Sequence, residues 1–206
     1  MASIRFSILF LMFLSLAGCV SRENMVIPVE KIVLTNEDVG ADYSIIVDRK
    51  NTLKSLKKVI SDRIALRSLY LNGFIEVYER VFEKRGTDAN HPRGIAYIGC
   101  TVSRYKTPGG ALARWQLMPI PREWGNGRIT EMGGRPFGER FTYFQSLIRV
   151  PEKNNIEEAY TLVFVYKNYK VSVTVQSSKG EIDSSALYPY AKIIEGRLKG
   201  GENRKI

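Results

Sequence analysis

Tyr160-Thr161-Leu162-Val163-Phe164-Val165-Tyr166-Lys167-Asn168-Tyr169-Lys170-Val171-Ser172-Val173-Thr174-Val175-Gln176 contains two runs dense in aromatic and β-branched residues, with only Lys167-Asn168 between them. Such residues suit a pleated surface, and a two-residue gap leaves room only for a tight turn, so the stretch predicts an antiparallel hairpin. Phe141 to Val150 has the same character and adds a strand before it. Further upstream, Ile95 to Tyr105 places Ala96, Ile98, Cys100 and Val102 on one face of another strand. Phe74 to Phe82, opened by Gly73, alternates less cleanly. Ile75, Val77 and Val81 make one apolar face, with Glu76 and Arg80 on the other, but Phe74, Tyr78 and Phe82 share that second face. Both faces are therefore expected to be covered.

Helical spacing marks the remaining segments. Leu53, Leu56, Ile60 and Ile64 recur at three, four and four, which draws one apolar stripe, with Lys54 and Lys58 opposite. Arg67 projects onto that stripe, so the helix should end near it or the arginine should snorkel outwards. Thr107-Pro108 is a helix start, the threonine as cap and the proline at the first helical position, and Leu112, Trp115 and Met118 continue the helix until Pro119 and Pro121. Leu187, Ala191, Ile194 and Leu198 mark a last helix, with Pro189 near its first turn and Gly200-Gly201 at its end. From Pro119 to Gly138 glycine and proline crowd together, and Gly125-Asn126-Gly127 suggests a short hairpin within that segment. The element order β-α-β-β-α-(ββ)-β-β-β-α, dominated by hairpins, gives an α+β protein: a largely antiparallel sheet with helices packed on its faces, an α/β/α sandwich.

The N-terminus sets the address. Arg5 precedes an apolar run from Ile8 to Leu16 that is too short to span a bilayer and has the form of a secretory signal peptide. It closes on Leu16-Ala17-Gly18-Cys19, which resembles the bacterial lipobox. That resemblance implies cleavage after Gly18 and a diacylglyceryl group on the Cys19 thiol, with palmitate among the usual acyl chains. It also implies an envelope lipoprotein, with Val20 in place of the aspartate that retains such proteins at the inner membrane, so the outer membrane is expected in a Gram-negative host. The division that follows is a signal peptide over 1–18, a lipidated tether over 19–30, a single domain over 31–200 and a basic tail over 201–206. With Cys19 acylated, Cys100 has no disulfide partner.

The element order, together with Gly73-Phe74, the strand leading into helix Pro108–Met118, and Pro136-Phe137-Gly138-Glu139 opening a strand, resembles the Mog1/PsbP-like fold shared by small exported lipoproteins of the LpqN type. Members of that fold mostly act as binding or assembly factors, so the resemblance implies no catalysis and no cofactor.

The residues themselves agree. Nucleophilic catalysis needs an activated nucleophile with a base in reach. The single histidine, His91, lies in Asp88-Ala89-Asn90-His91-Pro92, which reads as an exposed turn. Cys100 with His91 is the one dyad available, for a hydrolase or thiol enzyme, but Cys100 falls on an inward strand face where cysteine behaves as a small apolar residue. One histidine and one free cysteine make no ordinary zinc site, and no acidic loop fits calcium. Gly133-Gly134-Arg135-Pro136-Phe137-Gly138 lacks the Lys-Ser/Thr ending of a phosphate loop.

Binding is the better expectation. Trp124, flanked by Arg122, Arg128 and Arg135 in the Gly/Pro-rich segment, suits a sugar ring, a headgroup or a protein partner. A formal charge of +10 in an exported protein points to anionic lipid or envelope polymers and away from nucleic acid. Lys54, Lys57 and Lys58 offer a basic helix face worth up to about 1 kcal/mol per residue at an anionic membrane. The leading expectation is a lipid-anchored, non-catalytic domain that binds a partner protein or envelope component. An electrostatic membrane-surface module is the alternative.

Overall fold

The computed structural model describes residues 26–86, 94–116, 123–124, 127–150 and 155–203. Eight strands form one sheet: β1 (Tyr43–Thr52), β2 (Phe74–Lys84), β3 (Tyr97–Tyr105), β4 (Glu123–Trp124), β5 (Gly127–Met132), β6 (Arg140–Val150), β7 (Asn155–Tyr166) and β8 (Tyr169–Ser178). Their spatial order is β1-β2-β3-β8-β7-β6-β5-β4, and every neighbouring pair is antiparallel. Among the described residues five α-helices accompany them: α1 (Asn36–Val39), α2 (Leu53–Leu56), α3 (Arg63–Leu71), α4 (Pro108–Gln116) and α5 (Tyr188–Asn203), with 3-10 turns at Val29–Lys31 and Ser184–Leu187. The chain is an α+β protein with helices on both faces of an antiparallel sheet.

The founding hairpin forms at the expected register, with Tyr166 opposite Tyr169. Lys167 takes the left-handed conformation that the tight turn demands, at φ 51°. Asn168 then ties the turn to β3, its side chain donating to the Tyr105 carbonyl at 3.0 Å while its own carbonyl accepts from the Tyr105 N–H at 2.8 Å. In the Gly/Pro-rich segment, Trp124 pairs with Gly127 across residues 125–126, as the Asn-Gly signal requires.

On the inner face, Ile98, Cys100 and Val102 of β3, Leu162 and Phe164 of β7, and Val171, Val173 and Val175 of β8 are sealed from solvent. Leu187, Ala191, Ile194 and Leu198 cover them, the stripe expected of the last helix. Beside α5 lies a strap, residues 27–34, built around a 3-10 turn at Val29–Lys31, whose Val29, Ile32, Val33 and Leu34 are fully buried. The tether drawn over residues 19–30 therefore ends sooner, because these apolar side chains complete the inner core. α5 also runs through Gly200-Gly201 to Asn203, where an earlier end was expected.

The expected single helix over Leu53 to Ile64 is two. Asp62 accepts from the Ile64 and Ala65 N–H groups at 2.8 and 3.2 Å, so it caps a new helix and breaks the stripe. Ile64 consequently faces solvent, while α3 continues past Arg67, itself exposed, to Leu71.

β2 also differs from expectation. A bulge between Phe74 and Glu76 turns Phe74 to the outer face with Val77 and sets Glu76 and Arg80 on the inner one. Both charges have partners there. Glu76 meets Arg104 at 2.7 Å and Lys50 at 2.8 Å, and Arg80 holds Asp48 at 3.0 Å and donates to the Leu34 carbonyl at 2.8 Å.

Arg197 of α5 donates to the Val33 carbonyl at 2.6 Å and grips both oxygens of Asp38 at 2.8 Å. Arg197→Ala strands a buried carbonyl and a carboxylate with little solvent access, so urea unfolding should show a loss of about 2–3 kcal/mol. A loss below about 0.5 kcal/mol would mean the strap holds by its apolar side chains alone.

Candidate functional site

Among the described residues, the outer face is covered at one end only. There α2, α3 and α4 bury Phe74, Tyr105, Ala111 and Val165, with Leu53, Leu56, Leu69, Val77 and Trp115 packed around them. Gly110 allows α4 to lie this close, since a Cβ at that position would stand 2.1 Å from the Asn72 carbonyl oxygen. Thr107 caps α4 as its sequence requires, its hydroxyl accepting from the Gly110 N–H at 3.1 Å.

Away from the helices the outer face is an open lane of polar side chains. Register places Thr101 beside Ser172, Gly99 beside Thr174, and Tyr97 beside Gln176. Gly99 has no side chain, so the lane dips there into a hollow of about 220 Å³, walled by Glu79, Val81, Tyr97 and Gln176. Thr161 and Thr174 share a hydrogen bond of 3.0 Å. Tyr97 donates to Glu83 at 2.8 Å, and that carboxylate leads the causes that push the phenol up to about 12. Glu79 is paired with Arg49 at 2.6 Å. The end of the lane away from the helices is thus acidic and already satisfied.

The end under α4 is the reverse. Lys170 stands opposite Ser103 in the same row of the sheet. Arg114 descends from α4, its Nη1 donating to Ser68 Oγ at 3.0 Å, while its Nε is buried without a partner. Trp115 Nε1 is likewise buried and unpartnered. Neither Arg114 nor Lys170 meets a carboxylate among the described residues. Burial, with repulsion from Arg114 added, brings the Lys170 ammonium down to about 8. Two cations without a carboxylate, one with an unpartnered Nε, at the closed end of a hydroxyl-lined lane, are chemically suited to an anion that also carries hydroxyl groups.

The residues singled out in the sequence fall elsewhere. Cys19, Arg122 and His91 lie outside the described residues. Trp124 and Arg128 sit in β4 and β5, at the far edge of the sheet, with β6 and β7 between them and the lane. Arg135 lines a separate cavity of about 380 Å³ with Phe137, Tyr188 and Lys192. Cys100 points into the inner core at 1% exposure, and burial pushes its thiol up to about 12, so no thiolate is available near neutrality. Among the described residues no group of histidine, cysteine or acidic side chains converges to hold a metal, and no helix is long and apolar enough to cross a membrane.

Lys170, Arg114 and the hydroxyls were not singled out, for a physical reason. Lys170, Ser172, Thr174 and Gln176 alternate with the core valines, and that pattern alone describes a solvated face. Only the placement of α4 over β8 makes one end of it a closed site.

Compared with known proteins, the sequence matches no protein-family model and no curated protein. Its fold is shared with the extracellular domain of PknH from Mycobacterium tuberculosis, at a TM-score of 0.56 and 11% identity over 84% of this chain and 97% of that one. An uncharacterised protein of Mycobacterium smegmatis, the Rv0999 orthologue, aligns at a TM-score of 0.45 and 10% identity over 84% of this chain and 95% of that one. The first likeness establishes the architecture: an α+β domain of the kind found in that extracellular domain.

Lys170 also sets a pH dependence. Folded, it releases its proton near pH 8; unfolded, near its ordinary 10.5, so between these values the unfolded chain binds more protons and stability rises with pH. The stability of the native sequence relative to Lys170→Met should therefore climb between about pH 7.5 and 9.5 in thermal melts. A flat difference would mean that Lys170 is solvated in the folded protein.

Proposed function

We propose that this chain is a lipid-anchored, non-catalytic domain of the cell envelope, and that the lane on its outer face binds an anionic envelope component bearing hydroxyls and phosphate or carboxylate groups. The observation that carries the reading is the pair of cations, Arg114 and Lys170, set without a carboxylate partner at the closed end of a row of serine and threonine hydroxyls. The lipobox-like Leu16-Ala17-Gly18-Cys19 supports the anchor, and Val20 favours an outer-membrane destination. The shared fold of an extracellular domain is compatible with an envelope address. A Cys100 enzyme finds no support in the geometry, since its thiol is sealed in the core. The Mog1/PsbP-like assignment belongs with this proposal and rests on element order.

Two measurements test the two halves. Growth with labelled palmitate, followed by mass spectrometry of the N-terminus, should find the acyl label on Cys19 and lose it in Cys19→Ser; an unlabelled protein removes the anchor. Calorimetric titration with inorganic phosphate and with glycerol phosphate should show binding that weakens at least about tenfold in Arg114→Met and in Lys170→Met, as expected when one of two charge-assisted contacts is removed. Undiminished affinity in both variants would move the site off the lane, and the Trp124 edge would then be changed first.

A further inference from the structure

α3 is nine residues long and its two faces are unlike. Ala65, Leu66 and Leu69 turn towards the domain, whereas Arg63, Ile64, Arg67, Tyr70 and Leu71 are exposed. At 3.6 residues per turn these five occupy about one third of the circumference, so they form one face. Three of them are large apolar residues left in water: Ile64 at 81%, Tyr70 at 69% and Leu71 at 68% exposure. Val59, in the turn before α3, is 75% exposed. Exposed Lys57 and Lys58 precede it, and Lys54 lies one turn earlier on α2. None of Lys54, Lys57, Lys58, Arg63 and Arg67 enters an ion pair among the described residues. Apolar side chains interleaved with unpaired cations are poor material for a solvated surface and suit the boundary between anionic headgroups and acyl chains.

The position of this face adds an independent argument. α2 follows directly on Thr52, the last residue of β1, and only two residues separate the end of α3 from the start of β2. At that same end of the sheet, Phe74 pairs with Tyr105 and Arg104 with Tyr169. The Tyr169 hydroxyl donates to the Ile27 carbonyl at 2.8 Å, which pins the N-terminal exit of the domain there too. Residues 19–26, eight in all, reach at most about 28 Å from that point. A lipid on Cys19 would thus hold this end of the domain against the bilayer.

We propose that the exposed face of α3 and the turn before it form a membrane-docking surface for an anionic leaflet, with Ile64, Tyr70, Leu71 and Val59 entering the headgroup region and the surrounding lysines and arginines meeting lipid phosphates. The orientation it gives rests on the reading of Cys19 as the anchor; the surface itself does not.

The test uses unlipidated chain begun at residue 20, which keeps all eight strands and both hydrophobic clusters, since these are built from residue 27 onward. Vesicles of phosphatidylglycerol and phosphatidylcholine should pull the protein down, vesicles of phosphatidylcholine alone should not, and added salt should release it. The pair Ile64→Asp and Leu71→Asp should cut binding at least about tenfold with an unchanged melting temperature, because both side chains are already in water. Lys57→Glu with Arg67→Glu should do the same, and Arg85→Glu, an exposed charge at the opposite end of β2, should leave binding intact. Tyr70→Trp should report burial through a blue-shifted emission on vesicle addition. Equal binding to neutral vesicles, full retention in the Ile64/Leu71 pair, or a self-association that this pair abolishes would each overturn the proposal. Phosphate binding in the lane and acylation of Cys19 are read in separate assays, so this surface fails or stands apart from them.

Discussion

Two guanidinium groups on two consecutive carbonyls hold the inner half of this structure together. Residues 27–34 lie as a strap across a sheet face made of valine, leucine and phenylalanine, where backbone polar groups need partners. The strap forms only a short turn of its own, and a neighbouring strand does not pair with it. Arg197 supplies the Val33 carbonyl from α5, and Arg80 supplies the Leu34 carbonyl from β2. Each arginine is held in turn, by Asp38 and by Asp48 with the Tyr78 hydroxyl. Because these contacts join the strap, the last helix and a central strand, the inner core closes only when all three are in place. Cys100 lies beneath that closure, which is why its thiol behaves as a small apolar group.

The outer half follows a different constraint. Three short helices cannot cover a sheet of eight strands, so among the described residues one end is dry and the rest is open. Polar residues on the open part keep it soluble, and Gly99 gives it depth. Where the dry and open parts meet, Lys170 and Arg114 are too enclosed to be hydrated as surface cations and too poorly paired to be structural ones. Natural cores rarely retain such groups without a use, and that boundary is where an anion would gain most.

Much of the fold was legible because its signals are local. The Lys167-Asn168 turn, the Thr107-Pro108 cap and the Leu187, Ala191, Ile194, Leu198 stripe each state their structure within a few residues. What escaped depends on contacts distant in sequence. Residues 27–30 read as tether because burial of Val29 is settled by α5 and the sheet, far along the chain. The inward turn of Glu76 and Arg80 needs a bulge and the counter-charges Arg104 and Asp48, none of which alternation reveals. The stripe over Leu53 to Ile64 failed at Asp62, where a capping side chain outweighed apolar periodicity. The lane was not legible: an aromatic among arginines drew attention to Trp124, whereas the enclosed cations announce themselves only once α4 is folded over β8.

Placing the chain exit and the basic, apolar helix face at one end of the sheet changes how strong the latter has to be. A surface with four protruding apolar side chains and a handful of cations holds a free protein on a membrane weakly. Tethered within about 28 Å by the proposed lipid on Cys19, the same surface would see the leaflet at an effective concentration on the order of millimolar or more. With Cys19 acylated as proposed, weak docking would suffice to keep the face engaged, and permanence would come from the acyl chains. The lane runs along the outer sheet face away from the α2–α4 end, from Lys170 towards Tyr97. An engaged α3 would therefore leave the open part of the lane directed away from the bilayer, with its cationic end nearest the lipid. The proposed anchor, docking face and lane have compatible positions because Tyr169 holds the strap at Ile27 at this end of the sheet and not at the opposite one.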